Sequence, residues 1–160
     1  SDTASGAALR ESIGETIYAE EFDREYEMEG VPLGYRYEGS PIIVSDNTPE
    51  LPFEVMTYTP TARPGHRAPH AWLPDGRSTL DLFGHGFTLL CFDSDLDVSP
   101  FIAAGETKCM PIHSENIDSE AIAKLYQKKL VLVRPDGHVA WRSDDLPQDV
   151  SLLIDTVRGN

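Results

Sequence analysis

The most regular alternation of apolar and polar positions lies near the C-terminus, where Leu130 to Arg142 reads LVLVRPDGHVAWR. An apolar β-branched run, a Pro135-Asp136-Gly137 turn and a second alternating segment closed by Trp141 and Arg142 predict a β-hairpin. Phe87 to Phe92 (FTLLCF) predicts an earlier core strand, and Lys108 to Ile112 predicts the next. Between them, Ser99-Pro100 reads as an N-cap and first-turn pair for a short helix through Ala104, ended by Gly105. Asp118 is placed to cap a helix with the apolar face Ala121, Ile122, Leu125 and Tyr126. Val150, Leu153, Ile154 and Val157 recur at i, i+3, i+4, i+7 and predict a final helix stopped by Gly159.

The order strand, helix, strand, helix, hairpin, helix is that of a thioredoxin-like α/β domain, a mixed sheet flanked by helices. A βαβ crossover makes the first two core strands parallel, and the hairpin adds an antiparallel pair. Thiol-redox chemistry on this fold needs a Cys-x-x-Cys pair just past the first core strand, at a helix N-terminus that lowers the thiol pKa. The chain reads Asp93-Ser94-Asp95-Leu96 there. Its two cysteines, Cys91 and Cys109, fall in apolar strand-like contexts, so both are expected to be small core residues and not halves of a disulfide.

The first thirty residues have a different character. Leu9, Ile13 and Ile17 recur at i, i+4, and Tyr18, Phe22 and Tyr26 make a second stripe beside them, so a helix is predicted. This segment carries half of the chain's formal charge of −14. Its like-charged pairs Glu11/Glu15 and Glu21/Glu25, at i, i+4, each weaken an isolated helix by a few tenths of a kcal/mol. Such a helix needs a surface to lie on, either its own domain or a partner. From Gly30 to Pro64, six prolines exclude long helices, and Leu33–Tyr37 and Ile42–Val44 read as short strands around Gly39-Ser40-Pro41. A Pro74-Asp75-Gly76 turn and a single helical turn over Ser78–Phe83, stopped by Gly84, lead into the core. The expected organisation is an acidic helix plus extended linker over residues 1–62 and a thioredoxin-like domain over 63–160.

Composition narrows the function classes. The chain has 160 residues, 40% of them apolar, enough for one core and an appendage. A charge of −14 and a pI near 4.6 oppose binding to phosphate backbones or anionic membranes, which need clustered Lys and Arg. No apolar run approaches the roughly 20 residues of a spanning helix, and the first residues lack the pattern of a signal peptide. A soluble cytoplasmic protein is expected, with no nucleic-acid or membrane partner.

Four segments together resemble a known family: Arg63-Pro64-Gly65-His66-Arg67-Ala68-Pro69-His70-Ala71-Trp72-Leu73, then Ser78–Gly84, then Gly86–Leu90, and finally LVLVRPDGHVAWR. In this order they resemble the C-terminal region of FAD-dependent aromatic hydroxylases of the phenol hydroxylase class, and Gly34–Pro41 looks like the segment leading into it. The resemblance implies a thioredoxin-like piece without redox cysteines, detached from a flavin- and substrate-binding part that uses FAD, NAD(P)H and O2 to hydroxylate a phenolic ring. It implies a structural role, bracing that catalytic part or making subunit contacts, a homo-oligomer included. No catalytic, cofactor-binding or metal residue is expected in this chain. Gly84-His85-Gly86-Phe87-Thr88-Leu89 lacks the third glycine of a dinucleotide fingerprint and enters a strand. Asp75-Gly76 and Asp136-Gly137 read as turn dipeptides, not as a flavin-associated motif.

Other chemistries fare less well on the residues themselves. His66 and His70 are spaced i, i+4 like metal ligands, but Pro64, Gly65 and Pro69 forbid the helix that would align them. Asp93, Asp95 and Asp97 imitate an EF-hand start, yet Val98 and Ala104 occupy its glycine and glutamate positions. A loop capping the helix at Ser99 explains them. His85, His113 and His138 are expected to be solvated, and Ser40 and Ser78 lack the nucleophile elbow of hydrolases. The alternative is a free-standing thioredoxin-like binding module, or a thiol enzyme using Cys91 or Cys109.

Overall fold

The computed structural model describes residues 3–19 and 28–160. In chain order it contains α1 (Ala4–Ala19), a one-turn α2 (Gly30–Leu33), a 3₁₀ turn (Thr79–Leu82), β1 (Phe87–Cys91), α3 (Ser99–Thr107), β2 (Ile112–Asn116), α4 (Glu120–Tyr126), β3 (Leu130–Val133), β4 (Val139–Ser143) and α5 (Val150–Arg158). The four strands form one sheet in the order β2-β1-β3-β4. β1 and β2 are parallel, while β3 is antiparallel to both β1 and β4. This is the thioredoxin-like arrangement that the pattern of elements predicts.

The central strands β1 and β3 are buried on both faces, which explains why LVLV and FTLLC read as nearly continuous apolar runs. Leu89, Cys91, Leu130 and Leu132 point to a face covered by Phe101 of α3 and Leu153, Ile154 and Val157 of α5. Leu90, Val131 and Val133 point to the other, against Ile122 and Tyr126 of α4 and Ala62, Ala68, Leu73 and Leu82 of the preceding segment. Pairing of Leu132 with Trp141 and of Val133 with Val139 leaves Ala140 as an extra residue, a β-bulge. Beyond it the alternation of β4 is inverted. Trp141 therefore joins Ala140 on the α3/α5 face, and Arg142 turns to the α4 face, where its guanidinium reaches the Tyr126 carbonyl.

Several expected boundaries move for identifiable reasons. The second strand is Ile112–Asn116, not Lys108–Ile112. α3 runs on to Thr107 because Gly105 is inside the helix and does not end it. A Cβ at Gly105 would sit 2.7 Å from Ile112 Cδ1 and 2.9 Å from the Met110 carbonyl oxygen, so glycine is what lets β2 approach. Gly105→Ala is expected to destabilise the fold by about 1–3 kcal/mol, the usual cost of overpacking; urea unfolding measures it. Lys108 to Pro111 then form a tight connection in which Cys109 adopts φ 54° and is exposed. The expectation of a core Cys109 is thereby overturned, while Cys91 is buried as expected.

Helix starts shift by one residue. Ser99 is the first residue of α3, and its amide donates to Asp97 Oδ1. α4 is capped by Ser119, which accepts from the Ile122 amide, and not by Asp118. The predicted turn is a 3₁₀ turn over Thr79–Leu82, closed by a reciprocal capping box of Ser78 and Asp81 not anticipated from the sequence; α5 is capped by Asp149, and Gly159 ends it in the left-handed conformation as predicted.

The segments Leu33–Tyr37 and Ile42–Val44 form no strands. Pro32 and Pro41 and the turn at Gly39 (φ 66°) break them before a ladder forms. Their backbones still make single sheet-like bonds, from the Tyr37 amide to the Gly65 carbonyl and from the Val44 amide to the Ala140 carbonyl, both 2.9 Å. In α1 no described residue is buried, and Leu9, Ile13, Ile17 and Tyr18 are all exposed. Phe22 and Tyr26 lie outside the described residues. No helix among those described is long and apolar enough to cross a membrane.

Candidate functional site

Two regions carry the polar side chains that a function would draw on. The first is the loop after β1, where the thiols of a redox thioredoxin would stand. There, Asp93 pairs with Lys129 at 2.7 Å and accepts the Asp95 amide, and Asp97 accepts the Ser99 amide. The carboxylates of Asp93 and Asp97 are held below their ordinary pKa, first by the Lys129 hydrogen bond at Asp93 and by the Ser99 hydroxyl at Asp97. These aspartates shape and cap a loop. Cys91 Sγ lies 3.0 Å from the Asp93 carbonyl, to which it donates, and is sealed beneath that loop. Cys109, on the tight turn, is the exposed thiol. Thiol labelling of the native protein is expected to modify Cys109 and to reach Cys91 only after denaturation.

The second region is the joint between the extended segment and the sheet. Gly65 to Ala68, in the middle of the Arg63–Leu73 string, runs antiparallel along the outer edge of β4. The Gly65 amide donates to the Val139 carbonyl at 2.7 Å, the Val139 amide to the His66 carbonyl at 2.9 Å, and the Ala68 amide to the Gly137 carbonyl at 2.8 Å. An otherwise open sheet edge is thus covered by the chain's own backbone. Gly65 has φ 89°, and a Cβ there would sit 3.2 Å from the Tyr37 carbonyl, so the turn and the close approach both demand glycine.

Two buried arginines clamp the joint. Arg63 holds Glu38 with both terminal nitrogens at 2.9 and 3.2 Å and donates through Nε to the Thr48 carbonyl. This bidentate hydrogen bonding holds the Glu38 carboxyl below its usual range. Arg142 donates through Nε to Asp46 Oδ2 at 2.6 Å and through Nη1 to the Tyr126 carbonyl and Gln127 Oε1. The Arg142 and Asp46 side chains are 2% and 9% exposed, so this is an ion pair within the protein interior. Burial alone would raise the Asp46 pKa; the Thr48 hydroxyl, Arg142 and the Thr48 amide together bring it below the ordinary value.

Histidines complete the joint. His138, expected to be solvated, is buried between the Tyr35 and Tyr37 rings, with Nε2 3.3 Å from the Tyr35 carbonyl. Its burial follows from Gly137 and Val139, which the edge segment covers. His66 is also buried; its Nε2 has no hydrogen-bond partner and it lines a cavity of about 30 Å³ with Arg36, Phe53 and Tyr58. Burial, then Arg36 and Arg63, pull its pKa down to about 4. His70, by contrast, is exposed and bonded to Ser78 Oγ at 2.8 Å. His66 and His70 thus have separate environments. His85 and His113 are exposed, His113 beside Glu115.

Arg63, Arg142, Asp46 and Glu38 were not legible as a set from the sequence. The available signal was an arginine closing an apolar strand, in VAWR, which demands a buried partner without naming it.

The sequence profile described as "Aromatic-ring hydroxylase, C-terminal" matches residues 61–159. The chain belongs to that family. The aromatic-ring hydroxylase C-terminal domain is 34% identical over 149 residues to FAD-dependent monooxygenase apdD of Emericella nidulans, covering 88% of this chain and 24% of that protein. It is 31% identical over 155 residues to aklavinone 12-hydroxylase RdmE of Streptomyces purpurascens, covering 87% and 28%. Among solved structures it is similar to RebC soaked with chromopyrrolic acid, with bound 7-carboxy-K252c: TM-score 0.80, 39% identity, 99% of this chain and 30% of that one. The chain therefore spans about a quarter of the length of the curated relatives it matches.

The relatives named as FAD-dependent raise the question whether this domain holds flavin. Its described residues do not fit that group. Gly84 and Gly86 lead into strand β1, so no glycine-rich turn opens a helix toward a pyrophosphate. A groove of about 700 Å³ beside Gly86, Ile102 and Ile112 is lined by Glu106 and by no Lys or Arg that would meet phosphates.

Proposed function

We propose that this chain is the accessory C-terminal domain of an FAD-dependent aromatic-ring monooxygenase, non-catalytic by itself, which braces the flavin-binding part or its subunit contacts. The parent enzyme uses FAD and NAD(P)H and acts on a phenolic or polycyclic aromatic ring, and residues 1–62 form the connection from its catalytic part to the domain at 63–160. One observation carries this reading: the charged side chains at the joint and in the loop after β1 are committed to structural contacts. Arg63, Arg142, Asp46 and Glu38 fasten the incoming segment to the sheet, and Asp93 and Asp97 cap a loop where a thioredoxin enzyme presents its thiols. Family membership and the names of the relatives support the parentage.

The test is direct. The purified chain, mixed with FAD, is expected to retain no flavin absorbance after gel filtration and to consume no NADPH with simple phenols. Near-stoichiometric flavin, or hydroxylation by the chain alone, would overturn the proposal.

A further inference from the structure

Exposed large apolar side chains are unevenly distributed. Among the described residues, ten of the twelve lie between Leu9 and Met56, ahead of the family match, and only Trp72 and Leu152 lie within it. Part of this excess is a built surface. Gly30 of α2 packs so closely on an irregular strap over residues 50–56 that a Cβ would fall within 1.7 Å of the Glu54 carbonyl oxygen, and its amide donates to the Val55 carbonyl at 3.1 Å. Arg36 pins the other end of the strap through the Leu51 carbonyl at 2.8 Å and Glu50 at 2.5 Å, with its guanidinium 5.9 Å from the Phe53 ring centre. The strap is thus fixed from beneath while Leu51, Phe53, Val55 and Met56 face outward, with Val31 on the adjoining helix; Phe53 is 51% and Val31 46% exposed.

We infer that the patch of Val31, Leu51, Phe53, Val55 and Met56 is the surface on which the flavin-binding part of the same polypeptide docks. The inference rests on the proposed function and adds its interface. The occupant follows from where the relatives' extra length lies. The matched family is a C-terminal region, and RebC aligns with 99% of this chain using 30% of its own, so the remaining bulk of such proteins precedes this segment and is tethered to it. A tethered neighbour has a high effective concentration, so a modest apolar patch suffices to hold it. Glu29 and Glu54 are exposed beside the patch, so the complementary face is apolar with a Lys- or Arg-bearing rim.

Hydrogen exchange on the full flavoprotein encoded by the reading frame that contains this chain, compared with the isolated chain, tests the inference. The amides of Leu51, Phe53, Glu54, Val55 and Met56 are expected to exchange at least about tenfold more slowly in the full protein. Phe53→Asp/Val55→Asp is expected to erase that protection while the hairpin amides of 130–142 stay protected, and Met56→Lys to reduce it. Equal exchange in both proteins overturns the inference, as does protection in the isolated chain that grows with its concentration, which would make a second copy the occupant. A reading frame encoding no flavin-binding part would instead refute the proposed function, so the two failures are distinguishable.

Discussion

Arg142→Met is expected to destabilise the domain by about 3–5 kcal/mol, the usual cost of leaving one partner of a buried ion pair without its counter-charge. The variant strands Asp46, whose side chain is 9% exposed, and removes the donors that meet the Tyr126 carbonyl and Gln127. The charge on Asp46 cannot relax into water while the segment stays docked. Two escapes remain: protonation of the carboxyl, or release of residues 42–48 from β4. The double variant Arg142→Met/Asp46→Leu is expected to recover most of the loss, because an apolar pair of similar volume replaces the ion pair without a stranded charge. Urea unfolding at pH 7 measures both. A loss under about 1 kcal/mol for the single variant would show that the pair is solvated and the clamp idle. Because the folded pKa of Asp46 is depressed, its contribution is present above the unfolded value of about 3.9 and is lost as pH falls through the folded value.

The second large effect belongs to His66. Its folded pKa of about 4 lies below the unfolded value of about 6.5, so between those limits the unfolded chain binds a proton that the fold refuses. Stability is therefore complete above pH 6.5 and falls as the pH drops toward 4. The contribution lost between pH 7 and pH 5 is expected to be about 2 kcal/mol. Carboxylates also titrate toward the acid end, so the informative quantity is the difference between wild type and His66→Leu. The variant, which places no titratable group beside Arg36, Arg63, Glu38 and Arg142, is expected to gain about 2 kcal/mol relative to wild type over that interval. An unchanged difference between pH 7 and pH 5 would show that His66 titrates normally in the fold. The segment expected to loosen first is the strap over His66, since Arg36, Phe53 and Tyr58 share its cavity.

Elements with one dominant local signal were legible. The hairpin follows from two apolar runs around Pro135-Asp136-Gly137, and Gly137 takes the φ of 80° that such a turn requires. α5 follows from its i, i+3, i+4, i+7 apolar spacing between Asp149 and Gly159. Errors arose where a residue has two structural uses. Gly105 reads as a helix stop but serves as a gap for β2, and a sequence shows the missing Cβ without showing what fills its place. Cys109 sits among apolar neighbours, yet the end of α3 turns it outward in a left-handed conformation. His138 reads as a turn histidine because its cover, Tyr35 and Tyr37, lies about a hundred residues earlier. The joint was the least legible region, since each ion pair joins groups remote in sequence: Arg63 to Glu38, and Arg142 to Asp46.

By itself the sequence determined the class of fold, the order of the core strands and helices from Phe87 onward, and the vacancy of the thioredoxin thiol position, because these depend on local periodicity, turn chemistry and residue identity. Only the tertiary structure decided that a bulge at Ala140 turns Arg142 onto the α4 face, that Gly65–Ala68 closes the edge of β4, and that Asp46 is the buried counter-ion. Side-chain direction after a bulge, and pairing across a hundred residues, are set by which surfaces exclude water together, and that information exists only once the chain has folded.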